Sequence, residues 1–417
     1  MKRFDVLVLG GGAAGCVLAS RLSENRDRTV CLVEAGPDYG PYTEGRWPAD
    51  ILDARRLALD SHCWVRNDQD DRSQLRARIL GGCSAHNACV VLRGAPSDYD
   101  EWGPGWSHAE LEPYLDRGER TLQSRRLGDE ELAPWYQAFR EAAGDDAIVH
   151  VVNAVGAVRW NAAFAYLDPS RGRTNLTILA DTLVDRVLTK DGVATGALAG
   201  GRELAAELPV GEGLTDHVGT GAAWEPTERL RRETQAFERD HPLLMASVTV
   251  RKRSRSCAPG ADDLFFFPAG EPGYEISAAA FAMKPRSRRS VRLTAQEPDA
   301  PLAIDHGFLR EERDAEVLAE GFEALRELVA GDHAGRYAAA ELRPGAEVDA
   351  ATHVRATARG FFHPVGTCAL GTVVDERCRV LGFENLYVVD ASVMPTIPRA
   401  MTHLSTIAIA ERAAEWI

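Results

Sequence analysis

The chain has 417 residues, 26% of them charged and 45% hydrophobic, with a formal net charge of −14 at pH 7. That length supports two hydrophobic cores. The negative balance argues against nucleic acid or an anionic membrane surface as a partner. No apolar run reaches the length of a membrane span, and the first expected strand begins so close to Met1 that no signal peptide is expected. The eight cysteines show no CxxC and no zinc spacing, so they read as mostly buried thiols in a reducing, cytoplasmic compartment, with no metal site.

Phe4–Leu9 (FDVLVL) is a short apolar run suited to a buried parallel strand. Gly10, Gly12 and Gly15 then form GxGxxG, and Ala13–Arg21, opened by Ala13 and Ala14, suits a helix packed closely on a sheet. Thr29–Val33 is a second strand. It ends at Glu34, about 20 residues beyond the last motif glycine, where a ribose-binding acid falls in dinucleotide sites. The first glycine makes the turn, the second admits pyrophosphate, and the third lets helix and strand approach. The helix start offers amides and a positive dipole end to phosphate. A lone GxGxxG is weak evidence, but strand, glycines, helix, strand and acid in this order point to a dinucleotide site.

Arg78–Arg93 reads RILGGCSAHNACVVLR. Gly81 and Gly82 let backbone approach a flat ligand, and His86, Asn87, Ala88 and Cys89 follow. The bland reading is a glycine-rich turn entering a buried strand, Ala88–Leu92. Cys83 suits a small space-filling residue, with a functional thiol as the alternative. Asn161–Val187, which contains Val184, reads as a helical turn followed by a strand. Strands are expected at Met245–Val250, Asp263–Phe267 and Ser290–Leu293, and a helix at Glu311–Ala330. The basic patches Arg251–Arg255 and Lys284–Arg289 read as solvated turns. Near the end come FFHPVGTCALG (Phe361–Gly371) and LYVVDASVMPTIPRAMTHLST (Leu386–Thr406). A lone histidine beside proline is more often structural than catalytic, yet two histidines, His363 and His403, stand in this frame.

Taken together, these segments resemble the glucose–methanol–choline (GMC) flavoprotein oxidoreductases. GGGAAG followed by EAGP (Glu34–Pro37) is similar to the family's opening, and GGCSAHN is similar to a motif of the choline oxidase branch. The resemblance implies an α/β fold, with a Rossmann-like FAD-binding domain and an interleaved antiparallel-sheet substrate domain. The expected division is 1–212 for the FAD domain with its flavin-covering loop, 213–358 for the substrate domain, and 359–417 for the return that carries the catalytic histidines. It implies FAD rather than NAD, held by the loop residues Gly10, Gly12, Ala13, Ala14 and Gly15, by Glu34, Ala35, Trp64, Gly81, Gly82 and His86 to Cys89, and by Val184, Asp390, Ala391, His403 and Leu404. In the choline oxidase branch the histidine matching His86 carries FAD covalently. His363 and His403 match the catalytic pair. Arg93–Glu119 is similar to the segment that covers the flavin.

The implied activity is oxidation of a small alcohol, with oxygen or an electron carrier as acceptor. Two alternatives stay open: a non-redox lyase of the hydroxynitrile type, and a crippled flavin-binding protein. Ala88 stands where choline oxidase has serine, and no aromatic cage is legible, so choline is not the expected substrate. Three departures stand out. Met401 replaces a common asparagine, and Arg289 stands where glycine is usual. More seriously, Gly200–Glu207 (GGRELAAE) runs straight into LPVGEGLTDH (Leu208–His217), where relatives place a second signature with a strand of the central sheet. The stretch 144–160 also looks compressed. A naturally shortened enzyme, an engineered deletion, or segments left out of the printed sequence would each account for this. The last is favoured, because loss of a central strand exposes sheet edges. The oligomeric state is open.

Overall fold

The computed structural model describes residues 3–64, 75–198, 208–271, 275–295, 297 and 300–417. Strand β1 (Val6–Leu9), helix α1 (Ala13–Leu22) and strand β2 (Val30–Val33) form the expected βαβ opening. A third strand, β3 (Leu176–Leu179), joins the far side of β2, and all pairings are parallel, with Val6 opposite Val30 and Val30 opposite Leu176. Every residue of β2 is buried, as suits a strand covered on both faces.

Among the described residues β1 pairs with β2 alone, and Leu7 and Leu9 remain 38% and 40% exposed. The segment Leu386–Asp390 forms no ladder; Tyr387 makes one isolated bridge to Arg379. The sheet is therefore open where the missing strand was expected to leave an edge. Residues 199–207, which hold almost all of the stretch before that gap, lie outside the described residues.

The second layer is a seven-stranded sheet, in the order Ala338–Arg343, Val218–Pro226, Glu275–Ala282, Leu264–Glu271, Val248–Lys252 and Ala147–Val149, with Arg359–Gly360 beside Val218–Pro226. Its pairings are antiparallel. Pairing thus places Ala147–Val149, inside the range expected to be cofactor domain, on the edge of this sheet. Side chains alternate along each strand. Leu264, Phe266, Ala278 and Ala280 pack against Leu318, Phe322 and Leu325 of the helix Glu312–Ala330. Phe265, Phe267 and Phe281 face the other way and join Val90, Leu92, Ala400 and Met401. Each buried Phe stabilises by about 2 kcal/mol, so this second apolar face binds the sheet to the cofactor layer.

Helix α2 (Thr402–Ala413) is buried almost all round and packs in the main core with α1. Its Glu411 is fully buried and accepts both Nε and an Nη of Arg21, at 2.8 and 2.9 Å, and Tyr166 Oη at 2.8 Å. A buried charge so paired fixes the helix position. No described helix is long and apolar enough to cross a membrane.

Several local expectations need correction. The strand expected at Met245–Val250 begins at Val248 and runs to Lys252, so the first basic patch starts inside the sheet. Lys284 is mostly covered and bridges Asp98 at 3.1 Å and Glu101 at 2.9 Å, so this end of the second patch is not solvated, whereas Arg286 and Arg288 are exposed. The strand after the glycine pair shrinks to Val90–Val91. Cys83 is exposed and fills no internal space, and only four of the cysteines, Cys16, Cys31, Cys89 and Cys378, are buried.

Candidate active site

The phosphate loop follows from its glycines. Gly10 has φ +99°, and a Cβ on Gly15 would sit 1.9 Å from the Gly10 carbonyl oxygen. Only glycine permits that approach of helix to turn. A Cβ on Gly12 would meet nothing within 4 Å, so space is open where the second glycine admits phosphate. Gly12 caps α1 without a side-chain hydrogen bond, leaving the helix start at Ala13 and Ala14 with its amides and dipole for an anion. Glu34 is buried, and its two carboxylate oxygens accept the Gly11 and Gly36 N–H groups, each at 2.7 Å. Burial raises its pKa, opposed by those amides. Each oxygen keeps a lone pair for a ribose hydroxyl. The Ala35 carbonyl accepts Arg78 Nε at 3.2 Å, and Thr182 N–H donates to the Glu34 carbonyl at 2.8 Å. The second contact brings the loop of half-buried Val184 to the same end of the sheet.

The second glycine pair touches the first loop. Gly81 N–H donates to the Gly11 carbonyl at 2.7 Å. Gly82 has φ +56°, and a Cβ there would lie 2.6 Å from Gly12 Cα. A short 3₁₀ turn, Gly82–Ala85, then delivers His86. This imidazole is 4% exposed, and its Nε2 is shielded without a hydrogen-bond partner. Its Nδ1 lies 4.0 Å from Cys63 Sγ. Burial, aided by the charges of Arg159 and His62, lowers its pKa to about 4. The Asn87 side-chain oxygen accepts the Cys89 N–H at 2.9 Å, which supports the φ of +61° at Cys89. That amide oxygen is committed to its own turn. Trp64 lies under the Arg78 guanidinium, 5.1 Å from the ring centre.

The catalytic end is built from three distant segments. His363 N–H donates to Asp216 Oδ1 at 3.0 Å, and His363 Nδ1 faces His217 Nδ1 at 3.0 Å. His217 Nε2 lies 2.9 Å from the Pro398 carbonyl, in the segment that leads to His403. The Phe361 ring is 4.7 Å from His363 and stacks on Phe281 at 3.8 Å. Ala88, Phe361 and Met401 share one apolar cluster, so the His86 run and both histidine segments converge there. Met401 is buried in it. His403 opens α2 beside core residue Leu404, and both of its ring nitrogens are shielded and unpartnered. Asp390 caps the turn Ala391–Val393 through the Ser392 N–H at 2.8 Å, and Ser392 O ties that turn to Cys368 N–H at 2.9 Å.

Burial depresses these imidazoles: His363 well below its ordinary value, His217 to about 3 and His403 to about 4. It also raises the Asp216 carboxyl to about 7. Asp216, His217 and His363 offer metal-type ligand atoms within 4.8 Å of one another. Asp216 Oδ1 accepts two amides and His217 Nε2 meets a carbonyl, while Asp216 Oδ2 is buried without a hydrogen-bond partner. Sequence reasoning passed over Asp216 and His217; the only signal was their place at the end of LPVGEGLTDH.

The residues fit an FAD. A glycine cradle stands open at Gly12, and the orphaned nitrogens of His86 and His403 call for polar partners. The comparisons with known proteins agree. Two models described as GMC oxidoreductase match residues 4–207 and 285–410. The oxygen-dependent choline dehydrogenase of Vibrio vulnificus is 26% identical over 540 residues, covering 100% of this chain and 94% of the relative. That alignment is longer than the 417-residue chain, so the relative holds internal segments with no counterpart here. The 5-(hydroxymethyl)furfural oxidase of a Methylovorus species is 28% identical over 534 residues, covering 99% of this chain and 98% of the relative. Among solved structures, pyridoxine 4-oxidase from Mesorbium loti superposes with a TM-score of 0.85 at 25% identity, covering 99% of each chain. The two family models together match well over half of the chain, and the family's members bind FAD and act on alcohol-type substrates: this chain is a member of the GMC oxidoreductases.

Proposed function

We propose that the protein oxidises an alcohol to an aldehyde or ketone with FAD, and that His363 is the base. The observation that carries this reading is the setting of His363: a backbone pinned by Asp216, and an imidazole kept neutral by burial. A neutral imidazole accepts a proton, and fixed position counts as much as basicity. FAD supplies the hydride acceptor, chemistry that no side chain offers. Gly10, Gly12 and Gly15 would hold its pyrophosphate, Glu34 its ribose, and Gly81, Gly82 and His86 to Cys89 its ring. His363 takes the hydroxyl proton while the carbinol hydride leaves, and no proton is lost from the balance. His403, with two shielded nitrogens, orients the alkoxide. Linkage of FAD to His86 Nε2 belongs to the same proposal, as does a cytoplasmic location.

The alcohol carries an apolar or aromatic group, because the Phe361 ring lies beside His363 and is backed by Phe281. The names of two relatives, hydroxymethylfurfural oxidase and pyridoxine 4-oxidase, favour such a substrate. The test is stopped-flow flavin reduction with a panel of alcohols, benzyl alcohol among them. His363→Ala should keep FAD and slow reduction by at least about a hundredfold. An unchanged rate would overturn the assignment. The open β1 edge favours one second reading, a flavin-binding protein with impaired turnover. A yellow, stable protein that no alcohol bleaches anaerobically would select it.

A further inference from the structure

We infer that His217 is a positioning residue that sets the tautomer of His363, so that Nε2 is the atom that accepts the substrate proton. The inference rests on His363 being the base. A carbonyl oxygen only accepts, so His217 Nε2, 2.9 Å from the Pro398 carbonyl, carries the proton. A fully buried His217 is neutral, its pKa pushed down to about 3, and its Nδ1 is therefore a bare lone pair. His363 Nδ1 stands 3.0 Å from that lone pair and must donate to it. A neutral His363 with its proton on Nδ1 presents Nε2 unprotonated. Among the described residues no group bonds that Nε2.

The opposite arrangement fails on the same geometry. A proton on His217 Nδ1 would set the Nε2 lone pair against the Pro398 carbonyl at 2.9 Å. The rings stand edge to face at 87°, as a nitrogen-to-nitrogen bond between imidazoles allows. Asp216 and His217 are adjacent, so one dipeptide grips both the backbone and the ring of His363. The Pro398 carbonyl comes from the segment that bears His403. The two histidine segments are therefore coupled through His217.

The experiment uses FAD-loaded protein labelled with 15N-histidine. Long-range proton–nitrogen correlation at neutral pH reports the tautomer, with His363 signals identified by their loss in His363→Gln. The expected wild-type form has the proton on Nδ1. His217→Asn, which keeps an acceptor, should retain that form. His217→Leu should move the proton to Nε2 and slow flavin reduction about tenfold, with KM for the best alcohol of the panel little changed. A wild-type His363 protonated on Nε2 overturns the inference. So does a His217→Leu protein that holds FAD and keeps the original tautomer. If His217→Leu does not fold, the wild-type and Asn spectra still decide. Retained reduction in His363→Ala would sink the base assignment instead, and the tautomer result would stand apart from it.

Discussion

A Cβ on Gly82 would lie 2.6 Å from Gly12 Cα. The two glycine-rich loops, far apart in sequence, are thus in backbone contact, and together they shape the cradle for the dinucleotide.

In a His86→Asn background, where no covalent tether can retain the cofactor, Gly82→Ala should therefore lose FAD. The substitution meets backbone, which cannot move away, and it sits at φ +56°, where a side chain is strained. Overpacking of this kind costs about 1–3 kcal/mol. The expected result is a fall in the 450 nm to 280 nm absorbance ratio after gel filtration, with a lower Tm. Cys83→Ala, at an exposed neighbour, should leave both unchanged. Full occupancy in Gly82→Ala would show that the contact is not needed.

His86 offers a direct chemical test. Its Nε2 is buried and unpartnered, and a covalent bond to the flavin would satisfy it. Acid precipitation should leave yellow colour with the pellet, and intact mass should rise by one FAD. Both signals should vanish in His86→Asn. Release of all flavin from fully loaded wild type would leave His86 as a neighbour of the ring only.

The β1 edge should drive self-association. Leu7 and Leu9 present an apolar strand with an unpaired side, the arrangement that sheet proteins usually cover or charge. Leu7→Lys should lower the aggregated fraction in light scattering at equal concentration and leave FAD bound. An aggregated fraction as large as in wild type would move the cause elsewhere.

Stability should fall on acidification. His150 and His217 are fully buried, with pKa values pushed down to about 4 and about 3. Each is lowered in the folded state, so its contribution is present above about 6.5 and is lost as pH falls toward the folded value. Asp216, raised to about 7, acts in the opposite sense and loses its contribution as pH rises through 7. The histidines outnumber it, and each unshared proton is worth about 1.4 kcal/mol per pH unit. Tm should drop between pH 6.5 and pH 4.5. His150→Gln, which keeps a polar partner for Thr249, should flatten the slope. An equally steep slope in that variant would remove His150 as a source.

Some of this molecule was legible before any fold was known. GxGxxG, the strand run and Glu34 are local patterns. Their meaning depends on turn geometry within a single βαβ unit, and the loop has Gly10 at positive φ, Gly15 packed against it, and open space at Gly12. The order of the motifs identified the family for the same reason: each motif is a short stretch whose chemistry travels with its residue types. The basic patches misled in part, because a run of charge does not reveal that Lys284 finds Asp98 nearly two hundred residues earlier.

What the chain alone determined is therefore the chemistry: a dinucleotide loop, a glycine pair with an imidazole, and two histidines near the end of the chain, one of them beside a proline. Tertiary structure decided which of these groups meet. His217 was an unremarked residue in LPVGEGLTDH until folding set it between Pro398 and His363. Proton direction depends on distances of about 3 Å between atoms remote in sequence, and no local pattern encodes such a distance. The open edge at β1 is of the same kind. A strand's residues can state that it wants two neighbours, but only the assembled sheet reveals that it has one.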